Sequence, residues 1–322
     1  MPDAVLSSAR SMRLASMCSS TVRSYLRRLV PFLLVGAVLL GAGMASLEVG
    51  WLSPPNEPVL APGERPPAPP GRGHWLGTDA LGRDLLSRLL AGATTSLSVA
   101  LAATVLSLAI GVLVGSTAGL AGGRTDAFLM RVTDLFLALP APLILIAVMA
   151  AAPEPRNLPL VGTAAEPALV LCFLVLGLLG WGDQARLARA GVLEAREHAF
   201  TEAARAAGAG PLRVLAIHLV PHALGPVWIL ASAGVGTNIL AESWLSFLGI
   251  GVPPPRPSWG SMIYEGTSYL VSHPWLCLFP GLALTGSVLG FHLLGDLLSE
   301  RGGAHRIAEG THSAGISPAP AR

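Results

Sequence analysis

Few side chains in this sequence are placed to do chemistry, and those few suit contact or gating better than catalysis. Of eight histidines only His218 and His222 stand four apart, where two imidazoles share one helix face. No carboxylate or thiol near them completes the four-ligand shell of a zinc site, so no metal is expected. Cys18, Cys172 and Cys277 are odd in number and contain no CxxC pair, which gives neither a disulfide framework nor a metal cluster. The chain lacks GxSxG, HExxH and GxxxxGK followed by Ser or Thr, so it carries no recognisable nucleophile, zinc-protease helix or phosphate loop. No catalytic residue is assigned, and the chain has no recognisable ATP-hydrolysing site of its own.

Three positions suit a path or a gate. Arg131 and Asp134 stand at i, i+3, where they can pair on one helix face. A charge at the bilayer centre costs about 2.5 to 3.5 kcal/mol on insertion scales, so such groups face protein or water, as a structural pair at the interface or as part of a gate. Pro140, with Pro142 behind it, should bend the same helix, either as a hinge or for packing. Glu242 ends a later apolar stretch, where it can face a translocation path or hydrogen-bond the following SFLGIG turn. Asp134, Pro140 and Glu242 are the candidate path or gate residues.

The elements that hold these residues must be membrane spans. Hydrophobic residues make up 52% and charged residues 12%, the mean hydropathy is +0.60, and soluble domains carry about 25% charged residues. A net charge of +2, with arginine as the sole basic residue besides histidine, contains no basic run and excludes nucleic acid as a partner. A bilayer core of ~30 Å needs about 20 apolar helical residues. Six segments approach that: Leu29 to Leu47, Leu97 to Leu120, Ala127 to Ala152, Pro167 to Gly182, Leu224 to Ala241 and Trp275 to Leu294. The first is too long for a signal-peptide core and reads as a retained anchor.

Arginine placement gives the orientation. Fifteen of the 21 arginines fall on one side, which puts both termini in the cytoplasm. The domain organisation that follows is a cytoplasmic tail at 1–28, an anchor at 29–47, an external proline-rich linker and interfacial helix at 48–92, a membrane core at 93–298 with a cytoplasmic loop at 183–222, and a cytoplasmic tail at 299–322. Within the interfacial stretch, Thr78 or Asp79 can cap the following helix, while Arg83 and Asp84 can be solvated. Gly111, Gly115 and Gly119, with Gly234 and Gly236, suit close helix packing in the membrane.

The loop itself contains EAREHAFTEAARAAGAGPLRVLAIHLVP, Glu194 to Pro221, a polar segment between two apolar ones. Leu193 to Ala207 is helix-prone, Gly208 to Gly210 break it, and Pro211 opens a second helix that Pro221 ends. Glu202 and Arg205 can pair at i, i+3 or meet a partner. Two short helices with a sharp elbow suit docking.

The order Glu202, Ala203, Ala204, Gly208, Pro221 resembles the EAA loop of membrane subunits of bacterial binding-protein-dependent ABC importers. HWLGTDALGRDLLSRLLAGATTSL, MRVTDLFLALP and AESWLSFLGIGVPPPRPSWGSMI, followed by His273, Pro274, Trp275 and FPGLALTGSVLGFHLLGDLL, resemble the C-type permease subunits of dipeptide, oligopeptide and nickel importers. The match runs in one register from about Trp75 to Leu298. It implies an all-α membrane protein of six transmembrane helices with the ABC importer type I permease fold, in the bacterial inner membrane.

By the same resemblance, Glu202, Ala203, Ala204, Gly208 and Pro221 form the ATPase-docking loop. The implied partners are a second homologous permease, two ATP-binding subunits that hold ATP and magnesium, and an external substrate-binding protein. The chain itself would then be neither an enzyme nor a cofactor carrier, and its cargo a di- or oligopeptide or a related solute such as nickel. Two departures stand out: Val220 replaces the usual leucine before Pro221, and Ala93, Thr94, Thr95 stand where an arginine is common. An ion-gradient-driven secondary transporter is the alternative, but it leaves the loop unexplained.

Overall fold

The structure, a computed structural model, describes residues 30–31, 33–36, 38–41, 43, 53–60, 65–71, 73–151 and 167–313, without the side chains of 167, 212, 218 and 300–313. The tail assigned to 1–28 lies outside the described residues, and the anchor at 29–47 is described in part. Its helical residues between 30 and 43 pack into the molecule, since a Cβ on Gly290 would stand 3.0 Å from Leu34 Cβ.

The main elements are α1 (Leu85–Ala121), α2 (Gly123–Ala138), α3 (Ala141–Ala151), α4 (Pro167–Leu179), α5 (Gly182–Arg196), α6 (Ala199–Ala206), α7 (Pro211–Val214), α8 (Val220–Phe247), α9 (Trp259–Thr267) and α10 (Trp275–Ser313). A π-helical turn, Leu215–Leu219, joins α7 to α8. By length and apolarity α1, α8 and the Trp275–Ser299 part of α10 can each cross a membrane. Two bent pairs, α2 with α3 at 76° and α4 with α5 at 45°, raise that to five if each is one span. The sixth expected span falls on the partly described anchor.

The stretch read as a separate interfacial helix is the first turns of α1, one helix of 37 residues. Neither Thr78 nor Asp79 caps it. Asp84 does, its carboxylate accepting 2.8 Å hydrogen bonds from the Ser87 amide and hydroxyl. Thr78 Oγ1 instead accepts from the Ala68 amide, and Asp79 Oδ1 from the amides of Leu81 and Arg83. The Thr78 bond holds the proline-rich linker on the fold, and the Asp79 bonds shape the turn before α1. Nor are Arg83 and Asp84 solvated: Arg83 pairs with Asp79 at 2.6 Å and Glu265 at 2.9 Å, and Asp84 is buried.

Helices α1 and α8 sit at the centre, α1 packing on α4, α5 and α8, and α8 on α1, α5, α9 and α10. The glycine pattern explains the closest approach. A Cβ on Gly115 would stand 2.2 Å from the Ala185 carbonyl oxygen, and one on Gly119 2.9 Å from Val192, so α5 lies directly on the glycine face of α1. Gly236 is equally tight against His292 at 2.8 Å, whereas Gly234 meets nothing nearer than 3.9 Å.

Candidate functional site

Between α5 and α8 the chain turns back on itself, and there the motif residues are gathered. The helix expected over Leu193 to Ala207 is two helices. It breaks at Glu197 and His198 because the carbonyls that end α5 take other partners: Thr201 Oγ1 donates 2.7 Å to Ala195 O, and His198 Nδ1 lies 3.0 Å from Glu194 O. Thr201 is fully buried, so this bond pins the short α6 to the end of α5.

The far end of α6 is closed by a Schellman motif. The Ala209 amide donates to Ala204 O at 3.1 Å and the Gly208 amide to Arg205 O at 2.9 Å. Gly208 has φ +84, a conformation costly for any residue with a Cβ. A Cβ at Gly208 would meet nothing within 4 Å, so its surface is open. Pro211 opens α7 at its first position, as expected.

Pro221, however, does not end the second helix. The π-helical turn of Leu215 to Leu219 carries the helix through to α8. Proline has no N–H for the carbonyl four residues back and its ring crowds that carbonyl, and the wider turn relieves both.

The motif residues divide by direction. Glu202, Ala203, Gly208 and Pro221 are exposed. Ala204 is half-buried against a small apolar cluster of Val192, Ala195, Val214, Leu219 and Ala223. Close approach of a partner is thus open to Ala203, while Ala204 seats α6 on the body. No ion pair joins Glu202 to Arg205 among the described residues. Exposed Phe200 and Ile217 lie in the same loop, contacts the sequence reading missed.

The elbow also touches the start of α8. His198 and Phe200 place their rings 5.2 and 5.7 Å from that of His222 in the first turns of α8. His222 in turn lines a groove of about 1130 Å³ between α1, α8 and α10, with Thr104, Trp228, Phe291 and Leu294 along its walls. Spacing alone offered His222 only as a partner for His218; the ring cluster comes from the fold. No group of three or more His, Cys, Asp or Glu side chains able to hold a metal occurs among the described residues.

The three gate candidates are not brought together. Asp134 is exposed and pairs with Arg186 of α5 at 2.5 Å, in place of the expected Arg131. Its helix ends four residues later because Leu139, before Pro140, is forced into the extended region at ψ 133. Glu242 lies apart from both and is fully buried, accepting 2.7 Å hydrogen bonds from Ser96 and Ser246. Ser246 belongs to the SFLGIG turn, so Glu242 makes the hydrogen bond that its position suggested.

Residues 111–301 match the family model of the binding-protein-dependent transport system inner membrane component. The chain is 37% identical over 232 residues to the oligopeptide transport system permease protein OppC of Bacillus subtilis strain 168, covering 72% of each. It is 36% identical over 243 residues to the nickel transport system permease protein NikC of Escherichia coli K12, covering 76% of this chain and 83% of that one. Among solved structures, an inward-facing form of the MetNI methionine ABC transporter superposes with a TM-score of 0.50 at 20% identity, over 66% of this chain and 95% of that chain. The last likeness concerns the fold alone.

Proposed function

The chain belongs to the binding-protein-dependent transport system inner membrane component family, and from that premise we propose that it docks an ATP-binding subunit, one of two in the assembly, through α6 and the turn at Gly208. It is a multi-pass permease component of an ABC importer, which sets aside the gradient-driven alternative. ATP and magnesium are held by the docked subunits, and the elbow faces the cytoplasm with both termini. A second homologous permease completes the path, and an external binding protein delivers the cargo.

One observation carries the docking assignment: Glu202, Ala203 and the left-handed Gly208 are all exposed on an eight-residue helix that is pinned to α5 and ends in open space. Polar and small side chains line the exposed outer face of α6. Two of its relatives are named as permeases of oligopeptide and nickel transport systems. We infer a di- or oligopeptide cargo, supported by the apolar groove beside His222, which has room for side chains of varied shape.

Co-purification of the tagged chain with its candidate ATPases tests this reading. Wild type should retain them, and Gly208→Asp, inserted at normal abundance, should lose them. Retention by both forms removes the elbow from the interface.

A further inference from the structure

We propose that Arg186 and Arg189 are positioning residues for the transport stroke. By pairing with Asp134 and Asp126 they make α2 move with α5, so that a displacement of the elbow reaches the break at Pro140. The inference rests on the reading of α6 as the ATPase dock and assigns the residues that carry its motion onward.

Begin at α6. The buried Thr201 hydroxyl ties it to Ala195, so a push on α6 is delivered to the end of α5. Arg186, Arg189 and Arg196 recur along α5 at i, i+3 and i+10, which places them on one helix face. Arg196 Nη1 donates 2.7 Å to Gly119 O at the C-terminus of α1, where a cation complements the free carbonyls. Arg189 makes a two-pronged pair with Asp126, Nη2 lying 2.6 Å from Oδ2 and Nε bonding Oδ1. Arg186 Nη2 lies 2.5 Å from Asp134 Oδ1.

Two attachments do what one cannot. Asp126 and Asp134 stand two turns apart on α2, about 12 Å at 1.5 Å per residue, so together they fix its direction relative to α5 as well as its distance. A single bridge would let α2 swivel. Little else holds the helix: Thr133 is the one buried residue of its 16. At its far end Phe136 rests on Trp181, with ring centroids 5.2 Å apart, and Leu137 fills the space over Gly182. Beyond that contact the chain turns by 76° into α3. The lever formed by α5 and α2 therefore ends at Pro140.

Exposed ion pairs contribute little to folding, and Asp134 and Arg186 are 58 and 52% exposed; Arg189 and Asp126, at 33 and 16%, are more enclosed, so membrane abundance is read beside each Arg189 variant. Loss of either pair should leave the permease folded while uncoupling α2. The test uses the whole complex, with the second permease and both ATPases, and spin labels at the exposed Leu143 of α3 and Leu289 of α10. Distances are read with and without ATP, magnesium and vanadate.

In wild type a fraction of complexes should change distance on nucleotide trapping. In Arg189→Asp the ATPases should stay bound and hydrolyse ATP, while that fraction falls at least fivefold. Asp126→Arg combined with Arg189→Asp should restore it, a rescue that a merely structural role would not couple to nucleotide. Arg189→Gln, similar in length and uncharged, carries the same test should the reversed charge prevent insertion. An unchanged response in the Arg189 variants, a swap no better than the single reversal, or no nucleotide response in wild type each overturns the proposal. Loss of ATPases from wild type instead overturns the docking reading, and the inference falls with it.

Discussion

Ser96 Oγ donates a 2.7 Å hydrogen bond to Glu242 Oε2 across 146 residues of sequence, fastening α1 to α8 where both are buried. The Trp259 amide lies 3.4 Å from the same hydroxyl, and Ser246 Oγ donates to the other carboxylate oxygen at 2.7 Å. One acidic side chain thus ties together α1, α8 and the start of α9. Fully enclosed by hydroxyls, it is built as a structural acceptor.

Removing that acceptor should be costly. Glu242→Ala leaves the buried Ser96 and Ser246 hydroxyls without their acceptor and opens a cavity, for a loss of about 3 kcal/mol or more. Glu242→Gln keeps the volume and one carbonyl acceptor and should cost about 1 kcal/mol. Thermal unfolding of the purified permease gives the order. Unchanged melting with abolished transport in Glu242→Gln would return this residue to the path.

The charge cluster at the start of α1 makes an asymmetric prediction. Arg88 is almost wholly buried and its Nη2 donates to both oxygens of Glu265, at 3.1 and 2.9 Å, while Nε lies 3.3 Å from Asp79 Oδ2. Glu265 is 38% exposed on its side chain. Glu265→Ala strands a buried guanidinium with one remaining partner and should cost about 3 kcal/mol. Arg88→Met releases a carboxylate that water can reach and leaves Asp79 paired with Arg83, so it should cost less. Equal losses in a melting comparison would mean that burial of Arg88 is not what sets the cost.

How much of this was legible beforehand depends on the range of the contact. The glycines of α1, the left-handed Gly208, the proline at the start of α7 and the break at Pro140 are local consequences of residue type, and each lies where the sequence places it. Contacts between distant residues were not legible. Asp134 has Arg131 at pairing distance along its own helix, but Arg186 on α5 reaches it, and nothing in the spacing selects between them. Asp84 caps α1 although Thr78 and Asp79 precede it with equal capping chemistry, because Ala68 of the linker takes the Thr78 hydroxyl and the turn amides of Leu81 and Arg83 take the Asp79 carboxylate. The division of α5 from α6 was hidden for a similar reason, since alanine-rich propensity carries no sign that Thr201 will claim the Ala195 carbonyl.

Helix packing separates glycines that the sequence treats alike. Gly115→Ala places a methyl 2.2 Å from the Ala185 carbonyl and must drive α1 from α5, at a cost of about 1 to 3 kcal/mol. Gly234→Ala meets Thr104 Cγ2 at 3.9 Å and Gln184 Nε2 at 4.0 Å, both ordinary contacts, and should be neutral. Parallel melting curves and membrane abundance of the two variants decide the matter; a destabilised Gly234→Ala with an unaffected Gly115→Ala would reverse the assigned packing face.

Pro140 should set the bend between α2 and α3 through its effect on Leu139. A residue before proline is excluded from the helical region, and Leu139 at φ −73, ψ 133 is the one extended residue between the two helices that precedes Pro140. The Pro140 carbonyl still starts α3, accepting from Leu143 at 2.9 Å and Ile144 at 3.2 Å. Pro140→Ala removes the steric bar and supplies an N–H for a helical carbonyl, so the two helices should straighten. Taking 1.5 Å per residue on each arm, labels at exposed Phe128 and Val148 should move apart by roughly 6 Å if the 76° bend is lost entirely. A pulsed spin-label distance that stays at the wild-type value would mean that neighbouring helices hold the bend. In that case the lever from α5 through α2 would end on a fixed corner, and Pro140 would be no hinge.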